Sequence, residues 1–118
     1  MANELSLTVK LEYIKGNVNL KRLLTKTPTV TGTATAHDIQ NIGTAEETLG
    51  VGEVTLAGYA LFYNLDATNY IEIGKAAATY SIKLKPGEFA VLRLDSWSAI
   101  YAKANTAPVD LEYILFSD

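Results

Sequence analysis

One histidine, five serines, no cysteine and thirteen carboxylates are the groups from which this chain could build a reactive site. A nucleophilic triad needs a histidine within reach of a serine and a carboxylate. His37 stands in "TAHDIQ" beside Asp38, and adjacent residues of a strand point to opposite faces. No G-x-S-x-G surrounds Ser6, Ser81, Ser96, Ser98 or Ser117. A single histidine cannot build a histidine metal site, and the lack of cysteine removes disulfides, zinc thiolates and thiol catalysis. Glu46 with Glu47, and Asp66 with Glu72, are carboxylate pairs of the kind glycosidases use, but thirteen acids in 118 residues supply such pairs by composition alone. Gly50 and Gly52 in "LGVGEV" lack the lysine and helix of a phosphate loop. The expectation is a protein that is not an enzyme, with no catalytic, cofactor-binding or metal-ligating residues and no cofactor.

Two polar features need an account. In "GYALFYNLDATNYIEIG" (58–74) the corner "NLDATN" places Asn64, Asp66 and Asn69 between two apolar stretches. Its oxygens are of the type calcium takes from loops, although the spacing is not that of an EF-hand. Asx side chains also cap their own backbone in turns, which is sufficient reason for this composition. The second feature is Trp97 in "DSWSA", read as a loop-borne, exposed aromatic between two strands. With Tyr101 it is a candidate platform for a glycan or a partner. Tyr13, Tyr59 and Tyr113 fall at core-like strand positions.

The elements that would carry these residues are strands. "LSLTVKLEY" (5–13) alternates strictly, the pattern of a half-buried strand. Residues 18–39 are read as an extended, partly edge-like segment: threonine recurs at every second position from 25 to 35, Pro28 and Gly32 interrupt it, and "NLKRLL" also fits a helical turn. Residues 37–54 are the loop-rich part. Strands then recur near 58–64, 69–74, 79–84, 89–94, 99–104 and 109–116, with "LKPGE" (84–88) as a tight turn. No stretch holds a 3.6-residue period. The fold class is therefore all-β: one antiparallel β-sandwich of jelly-roll type, about eight strands with little helix, filling residues 1–118, of which 1–35 form a strand plus an extended arm. The strands at 59–63 and 89–94 are apolar on both faces. One face belongs to the sandwich; the other is available to a neighbouring chain.

Charge is unevenly distributed over a net −3. Lys10, Lys15, Lys21, Arg22 and Lys26 precede residue 27 against Glu4 and Glu12, and residues 27–74 hold six carboxylates without one lysine or arginine. That is a poor match to nucleic acid, which needs a concentrated basic face. It fits a basic arm meeting an acidic surface on the same chain, a sister chain or another protein, and equally solvated charges on a monomer. "MANELSLTVK" shows no secretory signal, and no apolar run approaches the ~20 residues of a membrane span. No membrane partner is expected.

The segments "GYALFYNLDATNYIEIG", "IKLKPGEFAVLRL" and "IYAKANTAPVDLEYILF" together resemble small virion structural proteins of tailed bacteriophages, over about residues 37–118. The resemblance implies a β-rich part of the particle, made in the host cytoplasm and located in the virion. It would be a capsid decoration or cement protein that binds the major capsid protein, or another virion protein, and its own copies, with a trimer favoured. The alternatives are a small tail or fibre component and a carbohydrate- or receptor-binding β-sandwich. No individual residue carries over from the group. From the charges and the tryptophan, Lys21, Arg22, Glu46, Glu47 and Trp97 are the candidate partner contacts, and residues 1–26 are expected to meet the acidic region 36–74 of an adjacent subunit.

Overall fold

Period-two alternation becomes ten strands in the computed structural model, which describes residues 4–118. No helix occurs among the described residues. The chain divides into two compact units, one ending at Thr31 and the other spanning Gly32–Asp118.

The first unit is a hairpin. Strand β1 (Leu7–Lys15) pairs antiparallel with β2 (Val18–Lys26) in unbroken register from Leu7 opposite Lys26 to Lys15 opposite Val18. Gly16 takes φ +57°, the left-handed conformation that a two-residue hairpin turn requires. Two expectations change here. Residues 18–26, read as extended and edge-like, are a regular strand and not a helical turn, because β1 supplies a partner for every position. The alternating side of β1 is also not half-buried: of the eighteen strand residues all but Leu7 are exposed.

The second unit holds two four-stranded sheets. One runs β3 (Thr35–Ile42), β10 (Val109–Ser117), β5 (Ala57–Asn64), β8 (Phe89–Trp97). The other runs β4 (Glu47–Thr48), β9 (Tyr101–Ala104), β6 (Ile71–Gly74), β7 (Ile82–Leu84). Every named pairing is antiparallel. The expected sandwich-like all-β architecture is present. Residues 27–34, within the threonine alternation, join no strand, and the ladder starts at Thr35. Residues 37–42, read as loop-rich, belong to β3; that edge strand is polar except for Ala36, Ile39 and Ile42, so its pairing with β10 rather than its own pattern makes it a strand.

The core follows from alternation along the two central strands. On β10, Val109, Leu111, Tyr113 and Leu115 are buried, and on β5, Ala60, Phe62 and Asn64 are. Tyr113 lies opposite Phe62, and Leu111 opposite Asn64. The other sheet contributes Ile71, Ile73, Leu84, Ala102 and Ala104 to the same cluster. Burying a large apolar side chain is worth about 1.5–3 kcal/mol each, so this shared layer supplies most of the drive to fold. The turn after β7 is as read from "LKPGE": the Glu88 N–H donates to the Lys85 carbonyl at 3.0 Å and Gly87 has φ +76°.

Gly74 closes β6 where the chain doubles back on itself. A Cβ there would stand 1.8 Å from the Thr79 carbonyl oxygen and 3.0 Å from the Tyr80 Cα. Gly74→Ala is expected to cost about 1–3 kcal/mol by forcing these backbones apart, read as a lower urea midpoint with an unchanged slope.

Candidate functional site

The polar corner after β5 is built from side chains that serve the backbone. Asn64 is fully buried; its Nδ2 donates to the carbonyls of Asn69 at 2.9 Å and Leu84 at 3.0 Å, and its Oδ1 accepts the Asp66 N–H at 2.8 Å. Asp66 Oδ2 accepts the N–H groups of Thr68 at 3.0 Å and Asn69 at 2.6 Å. Those bonds, Asn69 first, hold the Asp66 carboxyl below its usual range. Asn69 in turn accepts from Thr106 Oγ1 at 2.7 Å. The corner turns the chain and ties β5 to the opposite sheet. Among the described residues, no cluster of three or more His, Asp or Glu side chains could hold a metal ion.

The other candidates are dispersed. Glu46 lies before β4, and its Oε2 accepts the Ala78 N–H at 2.6 Å and the Tyr80 hydroxyl. The Tyr80 bond, then the Ala78 bond, lower the Glu46 pKa. Tyr80 itself is pushed up to about 12, first by desolvation and then by Glu46. Glu47 accepts from Gln40 Nε2 at 2.9 Å and from the Gly43 N–H at 3.1 Å. His37 bonds Glu112 across the β3–β10 ladder at 2.8 Å, both on the outer face, whereas Asp38 takes the other face by register, opposite Tyr113, and is exposed at the sheet edge. Lys21 and Arg22 sit on opposite faces of the hairpin, Lys21 opposite Glu12 and Arg22 opposite Leu11.

Trp97 is a correction. It ends β8, is half-buried and packs against the core. The β5–β8 register shifts between Ala57 and Tyr59, and Ser96 takes φ +49°. This bulge reverses the alternation and turns the ring inward. Of the three tyrosines placed in the core, only Tyr113 is there, donating its hydroxyl to the Gly50 carbonyl at 2.6 Å; Tyr13 is exposed on the hairpin, and Tyr59 faces outward beneath the Arg93 guanidinium.

What the structure gathers is apolar surface. In the hairpin, register places Val9 with Leu24, Leu11 with Arg22 and Tyr13 with Leu20 on one face. Leu11 and Leu20 are 65% and 60% exposed. The reverse face carries Thr8, Lys10, Glu12, Asn19, Lys21 and Thr25, with Ile14 and Leu23 among them. An open depression of about 400 Å³ on the apolar side is lined by Leu7, Val9, Leu24, Thr25 and Lys26. A two-stranded hairpin is marginal in water by itself, and a contiguous apolar face of this kind marks an interaction site.

The outer face of the β3-β10-β5-β8 sheet is a second such surface. One row reads Phe89, Tyr63, Glu112, Ile39 and the next Val91, Leu61, Ile114, His37. Phe89 is 68% exposed and Ile39 54%. Tyr63 and Phe89 meet edge to face with centroids 6.1 Å apart. The doubly apolar strands at 59–63 and 89–94 signalled this face, and the structure places it. The hairpin face carried the same kind of signal, in the alternation of 5–13, but its other half became legible only with the β1–β2 register. Comparison with known proteins finds no matching family model, no matching curated protein and no matching solved structure.

Two outcomes test the polar interior. Asn64→Ala strands two carbonyls and one N–H, and is expected to cost about 3 kcal/mol; Asn64→Asp, which sets a carboxylate against both carbonyls, costs more in the same urea titration. Because Glu46 and Asp66 are depressed on folding, their contribution is present above the ordinary carboxylate range and fades as pH falls through the folded values. Tyr80 is raised, so its contribution holds below pH 10 and is lost as pH rises through about 12. Glu46→Gln flattens the acid limb of urea midpoint against pH, and Tyr80→Phe the alkaline limb.

Proposed function

We propose that this chain is a structural virion protein of a tailed phage, a capsid decoration or cement protein that binds the shell and its own copies. The observation that carries the reading is the pair of open apolar sheet faces, on a chain whose candidate reactive side chains bond their own backbone and neighbours. A cement protein works by burying such faces against neighbours, and needs no chemistry beyond that. The strand order supports it. Counting β3 to β10 as the eight strands of a sandwich, the sheets run first-eighth-third-sixth and second-seventh-fourth-fifth, with only β6–β7 joined as neighbours within one sheet. We read this order as that of a double Greek key, the jelly-roll arrangement used in capsid proteins.

The major capsid protein or another virion protein is the partner on this reading, the location is the virion, and the protein is not an enzyme. A glycan-binding module is less well supported, because Trp97 packs against the core instead of standing free as a sugar platform.

Mass by light scattering, with the protein alone and then mixed with purified tailed-phage capsids, tests the proposal. The expected result is a discrete oligomer, a trimer by preference, that sediments with the shells. A monomer that stays in the supernatant overturns it.

A further inference from the structure

The two open faces have opposite charge settings. The hairpin unit carries Lys10, Lys15, Lys21, Arg22 and Lys26 against Glu4 and Glu12, while Gly32–Asp118 carries five cations against eleven carboxylates. On the hairpin's apolar face the central charge is Arg22, opposite Leu11. On the outer face of the β3-β10-β5-β8 sheet the central charge is Glu112, between Tyr63 and Ile39, with Asp110 beyond it on the same strand face. The hairpin face carries Lys15, Arg22 and Lys26 without a carboxylate, and the sheet face carries Glu112 and Asp110 against Arg93, so the two apolar fields are opposite in charge balance.

Dimensions agree as well. β1, β2, β8 and β10 all have nine residues, which at about 3.3 Å per residue makes ribbons and sheet of about 30 Å. A hairpin laid on a sheet face interdigitates alternate side chains as the layers of a sandwich do. Leu11 and Leu20 on the hairpin, and Phe89 and Ile39 on the sheet, each expose more than half of their surface.

We infer that the apolar face of the hairpin seats on the outer face of the β3-β10-β5-β8 sheet of a second copy of this chain. This names the contact that the assembly reading requires and rests on that reading. It also moves the acidic partner surface from Glu46, Glu47 and Asp66 to Glu112 and Asp110, which lie on the open sheet face and are themselves bonded to His37 and Asn41. Each copy gives one hairpin and receives one. Such a head-to-tail contact closes into a ring where the rotation allows.

The chain has no cysteine, so engineered ones report without background. Leu20→Cys and Val91→Cys, both at exposed positions, are made singly and together, and their fold is checked by circular dichroism. Mixed single variants, oxidised free in solution and again on purified capsids, are expected to yield Leu20–Val91 heterodimers in at least tenfold excess over either homodimer. The double variant is expected to yield a covalent ladder. Predominant Leu20–Leu20 dimers, an intrachain bond in the double variant, or no cross-link in either setting overturns the inference. Leu20→Asp, which leaves the sandwich intact, should abolish the oligomer in light scattering; an unchanged mass also overturns it. Sedimentation of the same samples with capsids reads the cement proposal separately: cross-links without shell binding leave the contact standing and remove the cement reading.

Discussion

A β-sheet has two faces, and an apolar face left in water must find cover or cost the molecule its solubility. The architecture of this chain turns on that constraint. β5 and β10 lie at the centre of their sheet, each with a partner on both sides, so their backbone groups are satisfied and only their side chains remain to be placed. Their inward set, with Tyr113 opposite Phe62, meets Ile71, Ile73 and Ala102 of the second sheet. The outward set is also apolar: Leu61, Tyr63, Ile114 and Phe116 remain half-buried at best.

Polar side chains inside this frame have been used for geometry. Asn64 sits on the inward face of β5 at a position that would otherwise take a hydrophobe, and its three hydrogen bonds hold the corner and β7 together. An unpaired amide there would cost more than an aliphatic residue, so its retention makes sense only because every polar atom finds a partner. Glu46 does similar work at the periphery, fixing the left-handed Ala78 and Tyr80 from another loop. Depressed carboxylates often mark reactive sites. For Glu46 and Asp66 the depression comes from hydrogen-bond donors of the same chain, which stabilise the anion.

The strands from β5 to β10 were legible in the sequence because each carries its own alternation and is bounded by its own turn. Three other strands were not, β4 being a two-residue strand within the part read as loop. β3 presents Thr35, His37, Asp38, Gln40 and Asn41, an edge-strand composition that local pattern cannot separate from a loop. β2 presents "NLKRLL", which suits a helical turn until Leu20 and Leu24 are seen to align with Tyr13 and Val9 across the hairpin. Register is a non-local property, and so is the bulge at Ser96 that carries Trp97 to the core. The candidate surface was legible in the same measure: double-sided alternation announced an extra apolar face at 59–63 and 89–94, whereas Glu46, Glu47 and Trp97, singled out for charge or aromaticity, already serve the tertiary structure.

On the inferred contact, covering the hairpin face of one copy with the sheet face of the next resolves both exposures in a single step. Every copy then removes two faces from water while ordering one hairpin, and a closed ring leaves no open apolar face at an end. The opposite charges add speed and selectivity more than affinity, since an Arg22 brought against Glu112 must first lose its water. Like-on-like alternatives lack this balance: hairpin against hairpin would bring Arg22, Lys15 and Lys26 together, and sheet against sheet would bring Glu112 and Asp110 together. The charge asymmetry between the two units therefore acts against the wrong pairings as much as for the right one.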